Sequence, residues 1–292
     1  MPDPRPTTTA RDIAAAVTDA WRRTSNNPST LEIPLGTVAA LSLHCLVADQ
    51  PAQSTRALAQ LDRSDLLAVL EETWARAWFT QPYLVEIASP LRRWLDADVS
   101  DDTIRSVRAV LDAAVSAGLP RLIDPRPGTP VVDVLGYLST ELRPARARQH
   151  LGEFYTPPEV ADVMATLTIP ELPAPGRLFT DPTAGTGGLL AATANRIRAL
   201  GGDPGDYGWE MGDINHLSVA CAAANAITWG LGNHVLVYRA DTLAPGDHRA
   251  EAIATRTAVI DHHQSVVRAA RLAALLTRQP TAAAQTPVAA AS

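Results

Sequence analysis

The sequence predicts an α/β fold with a parallel sheet, preceded in the chain by an all-helical region. Three short apolar runs, "RLFTD", "YGWEMGDI" and "HVLVYRAD", lie in the second half of the chain, and a helical pattern follows each of the first two. Strands that alternate with helices form parallel sheets with right-handed crossovers. Up to about Gly118 the apolar residues instead recur at helical spacing throughout.

The helical region contains three well-marked helices, of which "ARDIAAAVTDAW" comes first, with apolar residues four positions apart. The second, "RSDLLAVLEETWARAW", is expected to be capped by Ser64, and the third to run from a cap at Ser100 to a stop at Gly118. Trp74 and Trp78 share one helical stripe, which predicts a core position for both. Stacking on nucleic-acid bases is the alternative function for these rings.

Composition shifts divide the chain into five predicted segments. They are a disordered N-terminus (1–12), a helical domain (13–118), a linker and lead-in helix (119–150), the α/β domain (151–278) and a disordered, low-complexity tail (279–292). The linker contains "RPARARQH", whose arginines Arg143, Arg146 and Arg148 form either a solvated face or a contact to DNA phosphates.

The charge and cysteine content exclude several functions. The net charge is −6 and all 25 basic residues are arginine, so a Walker-type lysine is absent and the chain alone makes a poor nucleic-acid clamp. Cys45 and Cys221 lie far apart in apolar helical patterns, which predicts buried thiols in a reducing cytoplasm and neither a disulfide framework nor a zinc site. No signal peptide and no membrane span are expected.

The segment "DPTAGTGG" (Asp181–Gly188) follows the first predicted strand and opens a helix. Glycines at such a turn let the backbone approach a ligand closely, and the helix N-terminus adds free N–H groups and partial positive charge. The spacing Asp-x-x-x-Gly-x-Gly-Gly matches neither the dinucleotide fingerprint nor a phosphate loop. A ligand-binding loop of another type is therefore expected.

Carboxylates end the second and third predicted strands, at Glu210 and Asp213 and then at Asp241. An acid at the tip of the second strand takes the ribose hydroxyls in doubly wound nucleotide-binding folds. Asp213 is the first choice for this role and Glu210 the alternative, while Asp241 could accept a hydrogen bond from an adenine amino group. Each acid could instead cap the helix that follows it.

The pair "GEFYTPPEV" and "DPTAGTGG" resembles the adenine-specific (N-6) DNA methyltransferases, most closely the modification subunit of type I restriction–modification systems. The resemblance covers residues 133–243. It implies a Rossmann-like S-adenosylmethionine-dependent methyltransferase sheet, S-adenosylmethionine as cofactor, a cytoplasmic location, and DNA bound with the help of a specificity or partner subunit. No metal is implied.

The resemblance also implies which residues hold the cofactor. These are Phe154, Tyr155, Thr156 and Pro157 of the first motif, and Asp181, Pro182, Thr183, Gly185, Gly187 and Gly188 of the loop. The stretch "YTPPE" has a purely structural interpretation as well, because Thr156 and Glu159 have capping-box spacing and Pro157 suits a first helical position. Both interpretations can hold together.

The catalytic tetrapeptide of the resembled family, Asn/Asp-Pro-Pro-Tyr/Phe, is absent, since Pro157-Pro158 is the only Pro-Pro pair in the sequence. At the expected distance stands "RTAVIDHHQS", which is either a fourth strand with Asp261 as a candidate catalytic acceptor, or part of one helix over 249–278, the favoured interpretation. In that helix His262 and His263 are expected at the surface. The sheet is expected to be incomplete, so the hypotheses are a DNA adenine methyltransferase and a non-catalytic cofactor-binding or assembly subunit. A small-molecule or protein methyltransferase is a weaker third possibility.

Overall fold

The computed structural model describes residues 6–123, 129–143 and 155–277. Its first part is helical: α1 (Pro6–Thr24), α2 (Glu32–Val47), α3 (Pro51–Leu58), α4 (Arg63–Thr80), α5 (Pro82–Ile87), two short 3₁₀ turns, α6 (Asp101–Ser116), α7 (Leu119–Leu122) and α8 (Val134–Leu142). The second part contains α9 (Pro158–Thr168), β1 (Leu178–Asp181), α10 (Gly188–Ala199), β2 (Gly208–Asp213), α11 (His216–Thr228), β3 (Val235–Arg239) and α12 (His248–Thr277).

The three strands form one parallel sheet in the order β1-β2-β3, which confirms the predicted fold class. Thr180 pairs with Glu210, and Glu210 pairs with Leu236, so the strands run in register. Because all three are parallel, their carboxyl ends lie at one edge of the sheet. The loops that follow Asp181, Asp213 and Arg239 therefore start side by side.

The helix boundaries correct two expectations. The cap of α4 is Asp62, because its carboxylate accepts a hydrogen bond from the Asp65 backbone N–H at 2.9 Å, whereas Ser64 lies inside the helix and only donates to Asp62. The predicted disordered segment 1–12 overlaps α1, whose first residue is Pro6, a residue type suited to a first helical turn. The predicted cap of α6 at Ser100 is confirmed by its bond from the Thr103 N–H at 3.2 Å.

The helical region and the sheet share one hydrophobic core. The buried Tyr83 hydroxyl of α5 donates to the Val237 carbonyl of β3 at 2.6 Å, and Gln81 donates to the Asn233 side chain at 2.9 Å. Helices α2 and α5 also pack on α11, which covers the sheet. Apolar residues of the predicted helical and α/β domains consequently lie in the same buried cluster.

The tryptophan stripe of α4 divides between the core and a contact with α12. Trp74 is buried, as predicted, but Trp78 is only partly buried and meets the His263 ring edge-to-face, with ring centroids 4.4 Å apart. His263 is therefore half-buried, which corrects its expected surface position, whereas His262 is exposed. The correction follows from the Trp78 and Phe79 rings at the end of α4, which pack against His263.

The segment 248–277 is helical, so the favoured interpretation of "RTAVIDHHQS" is confirmed and the fourth-strand alternative is wrong. Near its start, α12 is fixed by an ion pair between Arg249 and Glu210 at 2.8 Å and by a hydrogen bond from Arg256 to the Asn233 carbonyl at 2.6 Å. Arg146, Arg148, Phe154 and the predicted tail 279–292 lie outside the described residues.

Candidate functional site

A cleft of about 810 Å³ opens at the carboxyl edge of the sheet. The loop after each strand contributes to it: Thr183 and Gly185 follow β1, Asp213 ends β2, and Asp241 follows β3. The last turn of α8 and Tyr155 line the cleft as well. The three strand ends that the sequence singled out therefore meet at one concave site.

The glycine loop requires left-handed backbone at two positions, since φ is +59° at Gly185 and +97° at Gly187. A Cβ at Gly187 would meet the Trp229 ring at 3.1 Å and the Met211 sulfur at 3.3 Å, so the protein packs directly on this glycine. A Cβ at Gly185 would meet no atom within 4 Å. Gly187 is thus fixed by packing and conformation, and Gly185 keeps the cleft side of the loop bare.

Asp213 joins two of the strand ends. Its Oδ2 accepts a hydrogen bond from the Gly185 N–H at 2.8 Å, and its Oδ1 accepts one from the Asn215 N–H at 2.8 Å. The carboxylate lines the cleft and is only partly buried. Each carboxylate oxygen can accept more than one hydrogen bond, so Asp213 can hold the loop and still receive hydroxyl groups of a ligand.

Asp181 shapes the start of the loop and does not line the cleft. It is buried, and its Oδ1 accepts a hydrogen bond from the Thr183 N–H at 3.0 Å. Burial raises the pKa of this carboxyl group, and the nearby negative charge of Asp213 raises it further. The geometry assigns Asp181 to the turn that aims Thr183 and Gly185 at the cleft.

Glu210, the alternative to Asp213, does not line the cleft. It is buried, and it accepts hydrogen bonds from the Tyr238 hydroxyl at 3.1 Å and from Arg249 at 2.8 Å. Side chains alternate between the two faces of a strand, so residues three positions apart point in opposite directions. Asp213 is consequently the strand-end acid that faces the site.

Asp241 lies at the third strand end, as expected, and its Oδ1 accepts a hydrogen bond from the Leu243 N–H at 3.1 Å. Two strongly exposed apolar residues of the cleft flank this region, Ile214 at 58% and Leu243 at 94% exposure. Apolar surface beside a carboxylate acceptor suits a flat heteroaromatic base with an amino group.

The "YTPPE" stretch contributes one cleft residue. Tyr155 lines the cleft, its ring lies 5.4 Å from that of Tyr137, and burial raises the pKa of its hydroxyl. Thr156 and Pro157 lie beside the cleft without lining it. The predicted capping box is wrong, because the cap of α9 is Pro157 and not Thr156, and no side chain makes a capping hydrogen bond. The proline at the first helical position is consequently Pro158 and not Pro157.

Several cleft residues were not singled out by the sequence. Arg239 ends β3 and donates to the Ile214 carbonyl at 3.0 Å, while Ser139, Thr140 and His216 complete the wall. Arg143, noticed only as part of the arginine run, also lines the cleft and donates to Asn215 at 3.4 Å. Their positions at the C-terminal end of α8, at the end of β3 and at the start of α11 are the signal that could have found them.

Asp261 is exposed on α12 and does not line the cleft, so the structure gives it no catalytic setting. Within the described residues, no cluster of three or more His, Cys, Asp or Glu side chains has the arrangement of a metal site. In the same part of the chain, no helix combines the length and apolar character that crossing a bilayer requires.

Comparison with known proteins finds a family match for the segment that forms this cleft. Residues 133–262 match the family N-6 DNA Methylase. This segment is similar to N-6 DNA methylases. The match spans a little under half of the sequence and includes α8, the glycine loop and all three strands.

No curated protein matches the chain. Among solved structures it is similar to the methyltransferase subunit of a type I restriction-modification system from Streptococcus thermophilus, with 17% sequence identity and a TM-score of 0.48. The similarity covers 82% of this chain and 60% of that one. The chain therefore spans less than two thirds of the length of that subunit.

Proposed function

We propose that the cleft binds S-adenosylmethionine and that the chain is the cofactor-binding part of a DNA adenine N-6 methyltransferase of a restriction–modification-type system. The observation that carries the proposal is the pairing of Gly185 with Asp213 across two strand ends, within a segment that matches N-6 DNA methylases. A bare backbone beside a partly exposed carboxylate is suited to a nucleoside-bearing ligand.

The residues present fit this cofactor. The cleft volume of about 810 Å³ lies in the range of small-molecule sites. Asp213 would receive the ribose hydroxyls, while Ile214, Leu243 and Asp241 would surround the adenine ring. Gly185 and Tyr155 would border the methionine end. The cofactor supplies an electrophilic methyl group on sulfur, and these residues bind and orient it.

The acceptor side of the reaction limits what the chain can do alone. An adenine amino nitrogen is a poor nucleophile, and a base must leave the DNA stack to be methylated. The sequence contains no Asn/Asp-Pro-Pro-Tyr/Phe tetrapeptide to hold the amino group, and Asp261 lies outside the cleft. The second candidate function, a non-catalytic cofactor-binding or assembly subunit, is kept for this reason alone.

DNA binding is proposed to need a partner. The chain carries a net charge of −6, whereas phosphate binding requires a basic face. Arg143 and Arg239 at the cleft are too few to make such a face. A specificity or partner subunit in the cytoplasm would supply the missing DNA contacts.

Titration calorimetry with S-adenosylmethionine tests cofactor binding. We expect the intact chain to bind. Asp213→Asn should weaken binding at least tenfold, because the group that accepts hydrogen bonds from the ribose hydroxyls loses its negative charge. Asp261→Asn is the matched control, since it removes an exposed carboxylate outside the cleft and leaves the affinity unchanged. Absence of binding by the intact chain would refute the proposal.

Transfer of a tritiated methyl group to DNA separates the two candidate functions. We expect little or no transfer by the isolated chain, with activity appearing when a partner supplies the missing acceptor groups. Ordinary turnover by the chain alone would show that another residue replaces the tetrapeptide. Cofactor binding without transfer under any pairing would favour the assembly subunit.

A further inference from the structure

A buried carboxylate lies beneath the glycine loop, at Asp133. It is 4% exposed and accepts three hydrogen bonds from three different parts of the fold. The Gly136 N–H of α8 donates at 2.7 Å, the Asn225 side chain of α11 donates at 2.8 Å, and the Thr186 hydroxyl donates to the second carboxylate oxygen. Charged groups are rarely buried unless they are satisfied in this way.

The third partner, Thr186, lies between the two left-handed glycines of the loop. Asn225 donates a further hydrogen bond to the Thr186 carbonyl at 2.9 Å. Asp133, Asn225 and Thr186 therefore form a closed ring of hydrogen bonds, called here the Asp133 ring. It holds Thr186 by both its side chain and its backbone, so the loop is fixed between Gly185 and Gly187.

Close packing supports the same arrangement. A Cβ at Gly136 would lie 2.2 Å from the Asp133 Oδ2 and 2.6 Å from the Thr186 Oγ1, distances that exclude any side chain. A Cβ at Gly188 would lie 3.7 Å from the same carboxylate oxygen, an ordinary contact distance. Helix α8 thus approaches Asp133 and Thr186 at Gly136 with no space for a larger group.

Capping of α8 does not account for this carboxylate. Asp133 is the N-cap of α8, but the capping bond uses only its Oδ1, and a neutral serine or threonine would serve equally at a helix start. The Oδ2 is directed at the loop instead. Burying a charge is costly, so the second contact indicates a role beyond helix capping.

We infer that Asp133 is a positioning residue that holds the glycine loop in its ligand-binding conformation through Thr186. The inference rests on the proposed function only for its consequence, which is tighter cofactor binding. A loop with two flexible glycines would otherwise lose conformational entropy on binding, and a loop ordered beforehand avoids this cost. Asp133 does not line the cleft, and it acts on the loop through the Thr186 hydroxyl.

Hydrogen exchange on the intact chain without cofactor tests the positioning itself. Thr186→Val removes the hydroxyl and keeps the side-chain shape, so we expect the Gly185 and Gly187 amides to exchange at least tenfold faster. Exchange in β2 should stay within twofold of the native chain. Thr193→Val is the matched control, because Thr193 bonds only the Leu189 carbonyl of its own helix and should leave loop exchange unchanged.

Two substitutions of the carboxylate complete the test. Asp133→Ala removes all three acceptor contacts and should accelerate loop exchange further. Asp133→Asn should rescue most of the protection, because its amide oxygen still accepts two bonds and its NH₂ group can donate to the Thr186 hydroxyl. Should Asp133→Ala fail to fold, Thr186→Val and Asp133→Asn still decide the matter.

Calorimetry then links the loop to the ligand. We expect Thr186→Val to weaken S-adenosylmethionine binding at least fivefold and Thr193→Val to leave it unchanged. Loop exchange in Thr186→Val within twofold of the control, or an equal rise across β2, would overturn the inference. If the native chain binds no cofactor, the proposed function fails, while the exchange result still decides the role of Asp133.

Discussion

Alanine at the two left-handed glycines of the loop should lower stability by different amounts, and Gly187→Ala is the more destabilising change. A Cβ-bearing residue in left-handed backbone costs about 1–2 kcal/mol, and overpacking a filled site adds about 1–3 kcal/mol. Both terms apply at Gly187, where φ is +97° and a Cβ would lie 3.1 Å from Trp229. The expected loss of stability is about 3 kcal/mol.

Thermal unfolding measures this loss. For a chain of this size, about 3 kcal/mol corresponds to a fall in Tm of roughly 5 °C. Gly185→Ala is the matched comparison, because φ there is +59° and a Cβ would meet no atom within 4 Å. It should cost about 1 kcal/mol in stability.

Cofactor affinity should be reduced most by Gly185→Ala, the variant that loses less stability. The methyl group of Gly185→Ala would enter the cleft, so we expect S-adenosylmethionine binding to weaken at least tenfold while Tm falls only slightly. Equal Tm losses for the two variants would refute the packing argument. Native affinity of Gly185→Ala would show that the ligand does not approach this part of the loop.

Three further outcomes test other contacts of the fold. Glu210→Gln should destabilise the chain by about 1–3 kcal/mol in chemical denaturation and leave cofactor affinity unchanged, because this buried carboxylate bonds Arg249 and Tyr238 and faces away from the cleft. Tyr83→Phe should cost about 1 kcal/mol, since it leaves the buried Val237 carbonyl without its donor, and a loss below about 0.3 kcal/mol would contradict that reasoning. Burial raises the pKa of Asp133 from 3.8 to about 6. Between pH 3.8 and about pH 6, the folded chain therefore keeps a proton on Asp133 that the unfolded chain has released. Stability should therefore fall by about 3 kcal/mol as pH rises through that window, relative to Asp133→Asn, and a difference between the two chains that is constant with pH would contradict the assignment.

The site features that the sequence predicted are those whose evidence is local. The glycine loop, Asp213 and Asp241 each directly follow an apolar strand, and parallel strands bring their carboxyl ends together without further information. The helix at 248–277 was also recoverable, because its apolar residues recur with a seven-residue spacing.

The features that the sequence did not settle depend on geometry or on distant partners. Glu210 and Asp213 lie on opposite faces of β2, and only the contacts of their side chains show that Asp213 is the one that lines the cleft. Asp62 and Ser64 are both good caps, and only the backbone conformation selects Asp62. Asp133 was missed because its partners Thr186 and Asn225 lie 53 and 92 positions away along the chain.

The contact of α5 with β3 has a consequence for how the molecule can be divided. Tyr83 and Gln81 attach the first half of the chain to the last strand and the turn before it, and α2 and α5 cover α11. A fragment beginning after residue 118 would expose that apolar helix to water. Removing the first half should therefore yield an insoluble product, and both halves should melt in a single cooperative transition.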